Sequence, residues 1–205
     1  MSRLTRLEAR STVFLVCDIQ TRFRELVHEF DAMVSTASKM LTFAKILSVP
    51  VIVTEHNPRA LGSTVPELDL APLDKLHVGT FPKTLFSMAV PPVLEELNRR
   101  ETKAVVLFGI EAHICIAQTA LDLLAAGYAV HVLADGVSSS NPQESPLALA
   151  RLRHAGAVIT TSETVTFELM ADSSRPQFKE FTAAVKAAQP TTRTALNALV
   201  PRSSL

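Results

Sequence analysis

The sequence predicts an α/β fold with three layers, in which a doubly wound, mostly parallel sheet carries helices on both faces. Short apolar runs alternate along the chain with longer segments whose apolar residues recur at helical spacing. Strands that read as continuous apolar runs are typical of parallel sheets covered on both faces. The alternation of strand and helix then favours crossover connections over hairpins.

Five apolar runs predict the clear strands of this sheet. They are STVFLVCDIQ (11–20), VIVT (51–54), KAVVLFG (103–109), YAVHVLAD (128–135) and AVITT (157–161), and a further short strand is considered near residues 77–78. Residues 55–80 otherwise carry prolines and glycines without a sustained period, which predicts a long loop.

Helices are expected between the strands, where caps and breakers mark their ends. They run from Asp31 to about Leu47, from Pro91 to Arg99, from the end of KAVVLFG to Gly127, from Ser145 to Gly156, from the cap Ser162 through TVTFELM, and from Pro176 to about Ala188. We expect residues 1–188 to form one domain. Residues 189–205 show no periodic core face and are predicted to be an arm or a partly disordered tail.

Charge and composition argue against several classes of partner. Lys and Arg together number 20, as do Asp and Glu, and the chain has no Trp and one Tyr, so we expect no nucleic-acid partner. No apolar run is long enough to predict a membrane span. Two cysteines far apart make no disulfide framework, which favours a cytoplasmic protein, with the arginine-rich N-terminus leaving a mitochondrial alternative.

The strand ends select candidate functional residues, because open parallel sheets bind ligands beyond the carboxyl ends of their strands. Asp18 ends the first predicted strand, and Glu55 and His56 follow the second. Lys83 lies beyond the long loop, and Cys115 begins the helix after KAVVLFG. Asp135, which ends the next strand, is expected at the same edge.

Cys115 admits two interpretations. A helix N-terminus presents free amide donors and the positive end of the helix dipole, which together favour a reactive thiolate. A lone cysteine is equally typical of simple apolar packing. Asp18 is either a base or a residue that caps a loop, and Lys83 is either an electrostatic partner or a solvated charge. An acidic residue at the end of an apolar strand needs a buried partner, which favours a grouping of these three.

The segments VFLVCDIQ, FPKTLFSM and VVLFGIEAHICIAQTALDLLAAGYAVHVLAD together resemble the isochorismatase-like family of cysteine hydrolases. The resemblance covers about Val13 to Thr160. It is strongest to the isochorismatase-domain-containing proteins of eukaryotes, which carry phrases similar to TVPEL, KTLFSM and PQFKE. The family also includes nicotinamidases and N-carbamoylsarcosine amidohydrolases.

The resemblance implies catalytic roles for three residues. Cys115 is expected to be the nucleophile, Asp18 the general base and Lys83 the group that orients and stabilises the pair. A cis peptide is expected at Ile110–Glu111, and the amides of Glu111 and Cys115 are expected to form an oxyanion hole. Family members usually form oligomers, so a homo-oligomer, dimeric or tetrameric, is expected.

The sequence departs from the metal-binding members of the family. The loop TEHNPRALGS contains His56 but lacks the Asp and the second His of the nicotinamidase metal site. We therefore expect no metal and no cofactor, and His56 is interpreted as an ordinary loop residue. True isochorismatases cleave a vinyl ether without a cysteine nucleophile, so the presence of Cys115 argues against that substrate.

Several side chains near the expected site each have two possible roles. Phe23, Phe86, Ile110 and Glu111 are assigned to the substrate pocket, although the two phenylalanines suit core packing as well. Glu111 either points into a hydrogen-bond network or selects a cationic substrate group.

Two further residues near the expected nucleophile are assigned no catalytic role. A direct contact between His113 and Cys115 is disfavoured, because residues two apart on a helix point in different directions. Strand alternation is expected to turn Cys17 away from Asp18, so a Cys17–Cys115 disulfide is disfavoured.

Two functions from different classes follow. The first is a cysteine-dependent hydrolase that cleaves a small amide or related C–N bond through Asp18, Lys83 and Cys115, with a thioester-type intermediate. The second is a catalytically silent binding or scaffold protein that keeps the fold. A small-molecule substrate is expected for the first.

Overall fold

The computed structural model describes residues 6–200, and within them a six-stranded parallel sheet forms the centre of the molecule. The strands are paired in the order β3-β2-β1-β4-β5-β6. Their bounds are β1 Thr12–Cys17, β2 Val51–His56, β3 His77–Lys83, β4 Ala104–Ile110, β5 Ala129–Ser138 and β6 Val158–Thr160. The residues of β1 and β4 are buried throughout, as their unbroken apolar runs require.

Helices cover both faces of the sheet, which confirms the predicted three-layer α/β fold. The helices are α1 Phe30–Leu47, α2 Pro58–Leu61, α3 Pro91–Arg99, α4 Ala117–Ala125, α5 Glu144–Ala155, α6 Ser162–Met170 and α7 Phe178–Leu199. Residues of α1, α6 and α7 contribute to one apolar cluster, and residues of α3, α4 and α5 contribute to the other. Among residues 6–200, no helix combines the length and the apolar character needed to cross a bilayer.

The strand order reverses direction between β1 and β4. The chain builds outward from β1 through β2 to β3, then returns to the other side of β1 and builds outward again from β4 to β6. Neighbouring helices diverge at such a point, which opens a crevice beyond the carboxyl ends of the two central strands. The chain places Asp18 directly after β1 and Glu111 directly after β4. The crevice is therefore the expected position of a functional site.

The C-terminal helix is longer than predicted. We expected it to end near Ala188, but α7 continues through Pro190 to Leu199. Thr192, Ala195 and Leu199 are buried against the rest of the molecule, so packing outweighs the missing amide of the proline. Residues 201–205, the end of the predicted tail, lie outside the described residues, as does Arg3 at the N-terminus.

Two predicted caps were wrong. The α1 helix begins at Phe30, and Asp31 lies inside its first turn, where it forms an ion pair with Arg24. The α6 helix is capped by Thr161, whose hydroxyl accepts a bond from the amide of Thr164 at 3.3 Å. Polar residues close to the observed caps, Glu29 and Thr161, give nearly the same sequence signal, so the boundaries shift by two residues and by one residue.

The predicted long loop contains more regular structure than its sequence indicates. The β2 strand extends to His56, and β3 is a full strand from His77 to Lys83. Between them lie the short helix α2 and a 3-10 turn over residues 71–76. The extension of β3 matters for function, because it carries Lys83 to the carboxyl edge beside β2.

Candidate active site

A buried ion pair joins the ends of two separate strands. The Nζ atom of Lys83, the last residue of β3, lies 2.6 Å from Oδ2 of Asp18. Asp18 is 1% exposed and Lys83 is 5% exposed. The structure therefore brings these two predicted site residues together, although β3 and β1 are separated in the sheet by β2.

The hydrogen-bonding capacity of Lys83 is used completely. Its ammonium group donates to Asp18 Oδ2, to the carbonyl oxygen of Leu85 at 3.1 Å and to that of Phe86 at 2.9 Å. The second carboxylate oxygen of Asp18 accepts a 2.8 Å bond from the hydroxyl of Thr54. Three donated bonds hold Lys83 in place as a cation. Each carboxylate oxygen of Asp18 keeps one lone pair for a further proton donor.

Such a pair is expensive to bury. Desolvation of two charges offsets much of their attraction, and apolar residues of similar volume often stabilise a core equally well. The fold alone therefore gives little reason to retain a carboxylate and an ammonium at this edge. A role in chemistry, where a fixed charge and a proton acceptor are both needed, explains the pair better.

Cys115 lies just beyond the end of β4 in a turn that differs from the prediction. We expected it in the first turn of an α-helix, but residues Ala112–Ile116 form a π-helical turn that precedes α4. The carbonyl oxygen of Glu111 accepts bonds from the amides of both Ile114 and Ile116. Single π-helical turns are frequent at functional sites.

The strand that leads into this turn passes unusually close to β1. Gly109 of β4 pairs with Cys17 of β1 and adopts a φ of +124°. A Cβ atom at position 109 would lie 2.1 Å from the carbonyl oxygen of Cys17, so only glycine fits. The Ile110–Glu111 peptide is cis, as expected from the family resemblance.

Thr119 connects the nucleophile candidate to the loop that follows Lys83. Its hydroxyl donates to the carbonyl oxygen of Cys115 at 2.6 Å and accepts from the amide of Met88 at 2.8 Å. Thr119 is completely buried. Neither Thr119 nor Thr54 was identified from the sequence. The spacing of four residues between Cys115 and Thr119, which suits a hydroxyl-to-carbonyl bond, was the available signal.

Cys17 faces Cys115, contrary to expectation. Both are free thiols, both belong to the apolar cluster on the α4 side of the sheet, and the Cys115 side chain is a close enough neighbour to raise the pKa of Cys17. Asp18 has a φ of +53°, so the strand alternation on which the prediction relied ends at Cys17. Burial, followed by the neighbouring Cys115 side chain and the charge of Asp18, raises the pKa of the Cys17 thiol well above its usual value. Cys17 is therefore protonated at neutral pH.

Glu111 belongs to a hydrogen-bond network at the mouth of the crevice. Its Oε2 atom accepts a 2.6 Å bond from the amide of Ser140, which lies in the segment after β5. In the same segment Ser139 Oγ lies 2.9 Å from His113 Nδ1. His113 thus has a hydroxyl partner in the segment after β5.

His56 lies in the wall of the site. Its ring stacks on that of Phe86 with centroids 5.4 Å apart and an interplanar angle of 15°. The backbone of His56 is held by the side chain of buried Gln20, which accepts from the His56 amide and donates to its carbonyl oxygen. Among residues 6–200, no group of three or more His, Cys, Asp or Glu side chains is placed to hold a metal ion.

Three other predicted residues make their observed contacts outside this cluster. Phe23 packs against the apolar cluster on the α1 side, and Glu55 accepts bonds from the amide and hydroxyl of Thr64. The carboxylate of Asp135 accepts bonds from the amide and hydroxyl of Ser162 instead of joining the site. The β5 strand continues to Ser138, so Asp135 is not a strand end.

Comparison with known proteins places these features in a family. The family model for the isochorismatase domain matches residues 12–164, which include β1 to β6. The chain is 42% identical over 191 residues to isochorismatase domain-containing protein 1 of Danio rerio, covering 93% of this chain and 66% of that protein. It is 46% identical over 181 residues to isochorismatase domain-containing protein 2 of Xenopus laevis, covering 88% and 86% respectively.

A solved structure agrees along nearly the whole chain. The MAR1 ribonuclease structure from Caenorhabditis elegans superposes with a TM-score of 0.84 and 37% sequence identity, covering 98% of this chain and all of that one. The family model and these relatives together confirm the resemblance inferred from the motifs around Asp18, Lys83 and Cys115. The chain therefore belongs to the isochorismatase family of hydrolases.

Proposed function

We propose that the protein is a cysteine-dependent hydrolase that cleaves a small amide or related C–N bond. The observation that carries the proposal is the buried Asp18–Lys83 ion pair, 2.6 Å between Nζ and Oδ2, at the sheet edge where Cys115 follows β4. A nucleophile, a base and a fixed cation are the groups that acyl transfer through a thioester requires. The family membership supports hydrolysis as the reaction class.

Asp18 acts first as a general base. It takes the proton of the Cys115 thiol, and the sulfur attacks the carbonyl carbon of the substrate. As the tetrahedral intermediate collapses, Asp18 returns the proton to the leaving nitrogen and the C–N bond breaks. Water, deprotonated by Asp18, then attacks the thioester, which releases a carboxylate and restores the thiol. All of these steps use groups of the chain itself.

Lys83 holds Asp18 in the geometry that proton transfer needs. Its three donated bonds tie the ammonium group to Asp18 and to the backbone at Leu85 and Phe86. A charge so fixed does not have to reorganise when a negative charge develops during the reaction. The amides of Glu111 and Cys115 are assigned to the oxyanion of the tetrahedral intermediate.

The pocket assignment points to a small substrate. Ile110 is completely buried at the end of β4, and Phe86 is half-exposed and stacked on His56. Glu111 accepts a hydrogen bond from the amide of Ser140, which supports a role in ordering the pocket rather than in binding a cationic group. Phe23, which is partly buried against the core, is also assigned to the pocket.

Release of ammonia or amine from a panel of small amides, ureas and carbamoyl compounds tests the proposal. Turnover is expected from the wild type and not from Cys115→Ala. Cys115→Ser is the matched control, since it keeps a hydroxyl nucleophile of low reactivity in the same place. Turnover that persists in Cys115→Ala would refute the mechanism.

A ribonuclease activity is the second candidate, because the Caenorhabditis elegans structure to which this chain is similar is described as a ribonuclease. The chain has a formal net charge of zero, which offers little attraction to a phosphate backbone. The test is cleavage of a short RNA. A cleavage activity that co-purifies with the protein and is lost in Asp18→Asn would favour this candidate. Cleavage that is unchanged in Asp18→Asn would assign it to a contaminant.

A silent binding or scaffold protein is the alternative from a different class. Such a protein would keep the fold but would show no accelerated chemistry at Cys115. Slow reaction of Cys115 with electrophiles, together with no turnover of any substrate in the panel, would favour it. We also propose a cytoplasmic location for the protein, which fractionation of cells would test.

We propose that the chain forms a homo-oligomer, a dimer or a tetramer. Large apolar side chains that remain well exposed support this assembly: Leu26, Leu85, Phe86, Leu147, Val158 and Phe167. Light scattering at several concentrations measures the mass directly. The mass of a single chain at all concentrations would contradict the proposal.

A further inference from the structure

We propose that Cys17 and Cys115 form a peroxide-sensitive dithiol, in which oxidation of Cys115 is captured by Cys17 as a reversible intramolecular disulfide. The proposal deepens the proposed function, since it rests on Cys115 being a reactive thiol. It adds a modification site and a reversible off-state to the same centre. It requires no particular substrate.

The fold brings the two cysteines to one place although they are far apart in sequence. Cys17 ends β1, and β4, which pairs directly with β1, leads into the turn that carries Cys115. Cys17 pairs with Gly109, and the lack of a side chain at Gly109 lets the two strands approach closely. The pairing of β1 with β4 and the turn Ala112–Ile116 that follows β4 therefore bring Cys115 towards the end of β1.

The two sulfur atoms share one buried environment. Both side chains belong to the apolar cluster on the α4 side, and that of Cys115 lies near enough to the Cys17 thiol to raise its pKa. A disulfide forms when rotation about the side-chain bonds brings two neighbouring sulfur atoms to about 2.05 Å. The rigid strands on either side keep the two thiols together at a high effective concentration.

Exposure sets the order of reaction. Cys115 is 8% exposed, whereas Cys17 is completely buried. A small hydroperoxide therefore meets the sulfur of Cys115 first. Burial and the neighbouring Asp18 raise the pKa of Cys17, so that residue waits as a neutral thiol.

The chemistry balances with a hydroperoxide as the named oxidant. The Cys115 thiolate, its proton held by Asp18, attacks one peroxide oxygen; an S–O bond forms and the O–O bond breaks. The departing alkoxide or hydroxide takes up that proton, and Cys115 is left as a sulfenic acid. Cys17 then attacks the Cys115 sulfur, an S–S bond forms, and the S–O bond breaks. The proton of Cys17 leaves with the hydroxide as water.

This arrangement protects the nucleophile. A sulfenic acid with no thiol partner reacts with further peroxide to the irreversible sulfinic acid. With Cys17 in contact, the disulfide forms first, and a thiol reductant restores both cysteines. The enzyme would thus be inactive while oxidised and recoverable afterwards.

Peptide mass spectrometry of peroxide-treated protein tests the inference. Wild-type protein and Cys17→Ala are treated with a small excess of hydrogen peroxide, and the remaining thiols are blocked with a maleimide after denaturation. The wild type is expected to yield a Cys17–Cys115 cross-linked peptide that dithiothreitol separates. Cys17→Ala is expected to gain two oxygen atoms at Cys115, and dithiothreitol should not remove them.

Two results would overturn the inference. One is a wild type in which Cys115 gains two oxygen atoms while Cys17 remains a free thiol. The other is a disulfide that joins two different chains. The wild-type measurement stands by itself if Cys17→Ala folds poorly, which circular dichroism would show.

The mass readout separates this inference from the proposed function. If Cys115→Ala abolishes amide turnover while the wild type forms no cross-link, only the redox inference fails. If the cross-link forms while Cys115→Ala still turns over amides, only the proposed mechanism fails.

Discussion

The hydroxyl of Thr119 joins the carbonyl oxygen of Cys115, at 2.6 Å, to the amide of Met88, at 2.8 Å. One buried side chain thus fixes the turn that carries the candidate nucleophile against the loop that follows Lys83. That loop also supplies the carbonyl oxygens of Leu85 and Phe86 to the ammonium group. The relative position of Cys115 and the ion pair therefore depends on Thr119.

Thr119→Val keeps the shape of the side chain but removes both bonds. We expect it to lower the free energy of unfolding by about 1–3 kcal/mol, because the buried amide of Met88 loses its acceptor. It should also lower kcat, because Cys115 is no longer held in register with Asp18. Urea denaturation and turnover measure the two effects. Thr119→Ser, the matched control, should retain both, and equal behaviour of the Val and Ser variants would contradict the positioning role.

The two members of the ion pair should respond differently to substitution. Asp18→Asn keeps the size of the side chain but removes the base, so we expect activity to fall by about 10²–10⁴-fold. Lys83→Met leaves an uncompensated buried carboxylate and should lower the free energy of unfolding by about 3–5 kcal/mol.

The double variant Asp18→Asn with Lys83→Met separates stability from chemistry. It should recover part of the stability lost in Lys83→Met, because no uncompensated charge remains, but it should recover no activity. A double variant as unstable as the sum of the single variants would show that the two charges do not interact.

Gly109→Ala tests the close approach of β1 and β4. The added Cβ atom would lie 2.1 Å from the carbonyl oxygen of Cys17 at a φ of +124°, so both sterics and backbone conformation oppose it. We expect a loss of at least about 3 kcal/mol in the free energy of unfolding, or failure to fold. Gly127→Ala is the matched control: its φ is +90°, but no atom lies within 4 Å of the added Cβ. Its cost should be about 1–2 kcal/mol, which is the strain of a left-handed backbone without a steric clash.

His131 should make stability depend on pH. Its ring is buried in β5 and has no hydrogen-bond partner at either nitrogen among residues 6–200. Burial lowers its pKa below the usual 6.5, partly offset by the charge of Glu168. Above pH 6.5, the usual pKa, the ring is neutral in both the folded and the unfolded state. Below it the unfolded chain takes up the proton first, so folding stability is lost as pH falls.

The comparison with His131→Leu isolates this effect. Burial also lowers the pKa of His77, which contributes in the same direction, so the difference between wild type and variant is the quantity to follow. The denaturation midpoint is measured at pH 7.5 and at pH 5. The drop in midpoint between these two pH values should be larger for the wild type than for His131→Leu. Equal losses would show that His131 is protonated similarly in both states.

Elements set by local pattern could be predicted from the sequence. The unbroken apolar runs of β1 and β4 indicated buried parallel strands, and the rule that ligands bind at the carboxyl ends of strands then selected Asp18, Lys83 and Cys115. The structure joins Asp18 to Lys83 by a salt bridge and sets Cys115 in the turn just beyond the neighbouring strand. The catalytic roles of these residues stay predictions.

Features set by tertiary packing could not be predicted. The continuation of α7 past Pro190 depends on burial against the domain, which a local helix signal does not report. The contact of Cys17 with Cys115 depends on the backbone of Asp18 leaving the strand conformation. Asp135 resembled a strand end because the next residue is glycine, but β5 continues through it.

The activation of Cys115 is tested most directly by the rate at which native protein reacts with iodoacetamide at neutral pH, followed by mass spectrometry of its peptides. We expect a single adduct, on Cys115, formed faster than on free cysteine and slowed in Asp18→Asn. Buried Cys17 should remain unlabelled until the protein is denatured. Reaction of Cys115 no faster than free cysteine, or no change in Asp18→Asn, would contradict the assignment of Cys115 as an activated nucleophile.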